Sequence, residues 1–238
     1  VTERSREKLD PSPVLATVGL LRERIRARFP ERDLVRVCED LADLVTAVRD
    51  TTPGTQQQLR RARTISRVLV GLVVLGTVVA LVLAVRDAVT DRPFDDSLDW
   101  LPLIETTVND LVFAAIAVFF LYSLPERLQR GRLLALLHRL RSLAHIIDMH
   151  QLTKDPERLR DTYRPTGVLQ PLDLDRDQLE RYLDYCSEML SLVGKTAALC
   201  AEESRDPVVL ETVGTIETLT ASMSGKIWQK ITVLDRIT

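Results

Sequence analysis

The chain has 238 residues, 28% of them charged and 45% apolar, with a formal charge of −2; that size suits one or two domains with a sizeable core. Only 9 glycines and 5% aromatics argue against a β-sandwich or barrel, whose turns and pleated faces need both. Acids stand among the arginines outside the membrane flanks, which leaves a nucleic-acid surface little support. No basic-then-apolar leader is seen, so export of the whole chain is not expected.

Ser12-Pro13 predicts a capped helix start, and Val14, Val18, Leu21, Ile25 and Phe29 follow at helical spacing. A second helix is expected after Pro30, carrying Leu34, Val37, Leu41, Leu44 and Val48, and ending before the breaker "TTPGTQQQ". Val68 to Val85 is then free of charge and spans about 27 Å as a helix, close to the hydrocarbon thickness of a bilayer. A strand of that length is ruled out, since strands rarely exceed about ten residues. A second apolar window runs from Trp100 to Leu124, with Trp100 and Tyr122 near its ends, where amphipathic rings favour the interface.

The flanks predict orientation. Arg60, Arg61, Arg63 and Arg67 precede the first span, and Arg127, Arg130 and Arg132 follow the second. The connecting loop carries Asp87, Asp91, Asp95, Asp96 and Asp99. Cationic flanks stay in the cytoplasm, so both termini are expected inside and the acidic loop outside. Those arginines can also hold anionic headgroups.

The second span brings Glu105, Thr106, Asn109 and Asp110 into its first turns, within an arc of about 140° that Phe113 and Phe120 continue. Three readings stand. The acids are interfacial and favoured by the helix dipole, or they form a polar seam against a partner helix, or they line an ion path closed by the aromatics. On the first span, Gly76, Ala80 and Ala84 recur every four residues, a face that permits close helix packing.

Beyond the hairpin, Glu126 to Leu152 reads as a helix and the proline-containing stretch 154–177 as a linker. Leu179, Tyr182, Cys186, Met189, Val193, Ala197 and Cys200 alternate three and four apart, the seam of a coiled coil or tight bundle. Asp206-Pro207 starts a last helix with Leu210, Val213, Ile216, Met223, Ile227, Ile231 and Leu234 on one face.

Few residues suggest chemistry. Gly194-Lys195-Thr196 echoes a phosphate-binding loop, but Met189 stands where the loop needs its first glycine. His138, His145 and His150 fall in one helical segment, and His145 shares a face with Asp148, a weak metal or proton-sensing pair. Cys38, Cys186 and Cys200 include no C-x-x-C pair and are expected as free, buried thiols. No catalytic constellation and no cofactor are expected.

The segments "AHIIDMHQLTKDPE", "RYLDYCSEMLSLVGKTAAL" and "SGKIWQKI" resemble a group of bacterial two-span membrane proteins with no assigned function; the resemblance implies no activity. In layout alone, an amphipathic helix, two close spans and a cytoplasmic helix, the chain is similar to the SLATT class of two-span effectors, proposed to form pores. It departs from that class in the long helical region after residue 172.

The expectation is an all-α protein of the bacterial inner membrane, a two-helix transmembrane hairpin with a cytoplasmic helical bundle. The expected divisions are residues 1–58, a hairpin at 59–125 (spans 66–86 and 101–124, loop 87–100) and 126–238. The expected role is a non-catalytic scaffold or signal-responsive module that forms homo-oligomers or recruits a cytoplasmic partner. The alternatives are an oligomeric ion channel and a membrane-tethered metalloenzyme.

Overall fold

The computed structural model describes residues 9–91, 101–160, 163–164, 172–202 and 204–236, with the backbone alone for 51–63, 84, 87–91, 101–103 and 125. Among the described residues there is no strand. The elements are α1 (Pro11–Arg28), α2 (Leu34–Asp91), α3 (Leu101–Leu152), a 3-10 turn (Pro156–Leu159), α4 (Arg176–Glu202) and α5 (Pro207–Asp235).

Three of these start in the same way, on an Asp-Pro pair. Proline fits the first turn because its missing N–H is an orphan there anyway. The preceding aspartate then accepts from the next free amide. Asp10 takes Ser12 N–H at 2.9 Å, Asp155 takes Glu157 N–H at 3.1 Å, and Asp206 takes Val208 and Val209 N–H at 2.9 and 3.2 Å. The first cap is therefore Asp10 and not Ser12, which lies inside α1.

Neither expected break in the long helices occurs. α2 runs through Pro53 and Gly54, and α3 through Pro125. An internal proline costs a helix about 3 kcal/mol. What does change at "TTPGTQQQ" is packing. The chain divides into two compact units, one made of Val1–Pro53 and Arg130–Thr238, the other of Gly54–Gln129. The helices before the hairpin thus belong to the same unit as those after it.

That discontinuous unit closes one core. α1 gives Val18, Leu21 and Ile25, the first turns of α2 give Leu34, Cys38 and Leu41, and the end of α3 gives Leu137, Leu140 and Ile147. α4 supplies the widest face. All seven seam residues, Leu179, Tyr182, Cys186, Met189, Val193, Ala197 and Cys200, are buried. On α5 the stripe is Val209, Val213, Ile216, Thr220, Met223, Ile227, Ile231 and Leu234. Leu210, expected on it, is exposed, because seven residues back from Ile216 lies Val209.

α4 and α5 pack on one another, and Gly194 of α4 lies against Thr220 of α5. A Cβ placed there would lie 3.0 Å from Thr220 Oγ1. The Gly-Lys-Thr triplet is thus a packing feature: Gly194 admits Thr220, Thr196 is buried with its hydroxyl donating to the Leu192 carbonyl, and Lys195 turns outward to Ser191. Its amides lie mid-helix, where no free N–H awaits a phosphate.

Gly194→Leu is expected to lower the stability of this unit by about 1–3 kcal/mol through overpacking, read as a shift in the chemical-denaturation midpoint by circular dichroism. Adding Thr220→Ala should recover part of that loss. Asp206→Ala should cost about 1 kcal/mol in the same assay, and an unchanged midpoint would remove the capping role.

Candidate functional site

The hairpin unit is the part of the molecule that water does not explain. Two helices are long and apolar enough to cross a membrane, with the first candidate span at Thr64–Leu83 and the second opening at Ile104. A buried core helix would pass the same test, but only 6% of the first apolar window and 0% of the second is buried. Val74, Leu75, Val78, Val79, Leu111 and Ile116 stand open, a contiguous apolar surface of the kind that monomeric soluble proteins avoid.

A hydrogen bond links the two helices. The Ser66 hydroxyl donates to the Leu121 carbonyl. In an unbroken helix that carbonyl would accept from the N–H four residues on, and residue 125 is proline, which has none. Ser66 thus supplies across the hairpin the donor that Pro125 removes along the helix. Residues in register with this contact are part-buried, Val70, Val73 and Thr77 on α2 and Ala114, Ala117 and Val118 on α3.

The residues singled out from the sequence lie off this seam. Glu105, Thr106, Asn109, Asp110, Phe113 and Phe120 are all exposed. Gly76 and Ala80 are exposed too, with open space over Gly76, and the side chain of Ala84 lies outside the described residues. The small face is therefore not what joins the two spans within one copy. Polar and part-buried β-branched residues do that.

The basic flanks separate into groups. The Arg127 guanidinium lies over the Phe120 ring, 5.3 Å from its centroid, and Arg67 is exposed. Arg130 instead pairs at 3.6 Å with Asp206, the cap of α5. Arg132 is exposed but engaged. The side chains of Arg60, Arg61 and Arg63, and residues 92–100 of the acidic loop, lie outside the described residues.

In the bundle, His138 and His145 are exposed. Asp148, the suggested partner of His145, accepts from Gln151 Nε2 at 2.7 Å. No group of three metal-ligating side chains converges among the described residues. His150 Nδ1 lies 3.4 Å from the Tyr182 hydroxyl.

A polar knot not anticipated from the sequence surrounds that pair. Lys230 of α5 donates to the carbonyls of Gln151 at 2.7 Å and Lys154 at 3.3 Å, capping the end of α3 from a neighbouring helix. Lys154 lies over the Tyr182 ring, 5.6 Å from its centroid. Burial lowers the affinity of both ammonium groups for their proton; Arg32 and Arg158 lower that of Lys154 further, while Asp155 and Asp148 counter the effect at Lys230. The available signal was position: Lys230 stands next to the stripe residue Ile231, at the stripe's edge, where a long side chain reaches a neighbour.

No family model, curated protein or solved structure matches this chain. Its chemistry is therefore read from its own residues.

Ser66→Ala is expected to weaken the hairpin by about 0.6–1.7 kcal/mol, the range for interhelical hydrogen bonds in bilayers, measured by mixed-micelle unfolding. With Pro125→Ala present, Leu121 regains a backbone donor, and Ser66→Ala should become nearly neutral. Strictly additive effects would break the proposed link between the two residues.

The thiols give a pH prediction. Burial pushes Cys38 up to about 11 and Cys186 and Cys200 up to about 12, from 9.0. Folded thiols keep their protons where unfolded ones have lost them, so stability is unaffected below pH 9 and falls as pH rises above it. Each such thiol contributes a slope of about 1.4 kcal/mol per pH unit. The lysines act oppositely just below 10.5, with shifts smaller than those of the thiols. Denaturation at pH 8, 9, 10 and 11 should show a net loss, reduced by one increment in Cys186→Ala.

Proposed function

We propose that this chain is a two-span protein of the bacterial inner membrane, with both termini in the cytoplasm. Its helical bundle acts there as a non-catalytic scaffold that self-associates or recruits a protein partner. The observation that carries the membrane part is the uncovered apolar surface of the hairpin, which costs about 25 cal/mol for each Å² left in water and nothing comparable in lipid. Orientation rests on the arginine flanks and the aspartate-rich connection.

Self-association is supported by the outward face at Gly76 and Ala80. In lipid, small residues let a second helix approach closely, and this face is not used within one copy. The layout it shares with two-span effectors fits an assembly of several hairpins.

One observation favours a second reading, an oligomeric cation channel. Glu105, Asn109 and Asp110 are exposed and are not consumed in joining α2 to α3. In a ring of copies they would form a polar mouth, with Phe113 deeper as a constriction. The metalloenzyme reading has no comparable support and is not carried further.

Three outcomes are expected. Alkaline carbonate should leave the full-length protein in vesicles, and its release would end the membrane reading. Mass photometry in nanodiscs should count more than one copy per disc; a strict monomer would end self-association and the channel together. If four or more copies are present, Glu105→Gln with Asp110→Asn should reduce cation over anion flux, and unchanged selectivity would leave the acids as interfacial residues.

A further inference from the structure

The hydrogen bond between Ser66 and Leu121 sets a register at the charged end of the hairpin. With the two helices running in opposite directions, Arg67 falls level with Phe120. The Arg127 guanidinium reaches that same level by lying over the Phe120 ring, 5.3 Å from its centroid. This direction is unusual. Arginine beside an apolar span normally extends its head away from the hydrocarbon, whereas Arg127 extends back two turns toward it.

Among the described residues neither Arg67 nor Arg127 is paired with a carboxylate. Glu126 is the one acid between Arg60 and Arg67 on one helix and Leu124 and Arg127 on the other, and it is exposed. The helical backbone of α2 adds Arg60, Arg61 and Arg63 within the next two turns. The Arg127 guanidinium thus reaches the level from which exposed Arg67 springs, at the last apolar turn. Tyr122, 75% exposed, lies at a similar depth on another side of α3, an amphipathic ring suited to the headgroup layer.

We propose that this collar binds the phosphodiester of an anionic phospholipid, held between Arg67 and Arg127, with its acyl chains on the exposed face around Phe120. A guanidinium stacked on a ring keeps its N–H edges available for two parallel bonds to phosphate oxygens. Stacking on Phe120 also fixes the fork in place before the lipid arrives. Charge complementarity at an apolar boundary selects lipid over a free ion, because the ring and the neighbouring aliphatic residues offer nothing to inorganic phosphate. Arg130, tied to Asp206, is outside the collar. The inference rests on the membrane reading above.

The test is native mass spectrometry of the full-length protein released from detergent micelles after titration with phosphatidylglycerol or phosphatidylcholine. Phosphatidylglycerol should be retained at least tenfold over phosphatidylcholine. Each arginine near the headgroups is worth about fivefold, so Arg67→Gln with Arg127→Gln should reduce retention about thirtyfold. Arg130→Gln should leave it unchanged. Phe120→Leu keeps the surface apolar but removes the stacking platform, and should lower retention severalfold without touching a charge. Equal retention of the two lipids, or retention indifferent to the double variant and to Phe120→Leu, overturns the collar. Displacement of the lipid by about 10 mM inorganic phosphate overturns lipid as its occupant. Alkaline carbonate separates the two levels: release of the protein from vesicles overturns the membrane reading, whereas a protein that stays embedded without lipid preference overturns this inference alone.

Discussion

A carbonyl without a donor is tolerable in water and expensive in an apolar surrounding, at about 1–3 kcal/mol. Pro125 creates such a carbonyl at Leu121, one turn inside the apolar part of α3. The hydroxyl of Ser66 answers it from the other helix. This exchange does more than satisfy one oxygen. It sets which residues of α2 stand beside which residues of α3, in an interface of mostly small and aliphatic side chains that would slide past one another at little cost. The level of Arg67, the seam through Val70, Val73 and Thr77, and the outward placement of Gly76 and Ala80 all follow from that single register.

The other unit is specified differently. Its core is a matter of area and shape, with α4 presenting Leu179, Tyr182, Cys186, Met189, Val193, Ala197 and Cys200 to its neighbours. Specificity enters at small points of contact. Gly194 admits Thr220, Lys230 closes the open end of α3, and Phe29 meets Tyr182 edge-on with centroids 5.6 Å apart. Each contact joins helices from different parts of the chain. Together they select one packing among the many that apolar stripes alone would allow.

The fold class and helical stripes were legible because burial imposes a period, and that period is written in the residues themselves. The α4 seam is the clearest case. Pro53 and Gly54 misled because breaker propensity is a weak, local signal, and α2 continues through both. Ser12 reads as a cap because it precedes a proline, but Asp10 does so too, and only the backbone shows which side chain faces the free amide. On the hairpin, the small-residue pattern was visible but its partner was not, since a sequence does not say whether a face meets its own chain or another. Lys230 and Ser66 stayed hidden for a related reason. Each serves a backbone carbonyl far away along the chain, and carbonyls have no identity in a sequence.

The discontinuous core also imposes an order of assembly. α1 and the first turns of α2 leave the ribosome before the hairpin, yet α4, against which α1 packs, follows only after it. At about 5–20 residues per second that interval is roughly eight to thirty seconds. Throughout it, the stripe of Val18, Leu21, Ile25, Leu34 and Leu41 lacks the α4 face of the finished core. The hairpin is therefore complete as a chain before the unit it interrupts can fold. A nascent-chain chaperone that shields amphipathic helices would have its main substrate in the first fifty residues, and synthesis that stopped inside the hairpin would strand a half-core with nothing to close it.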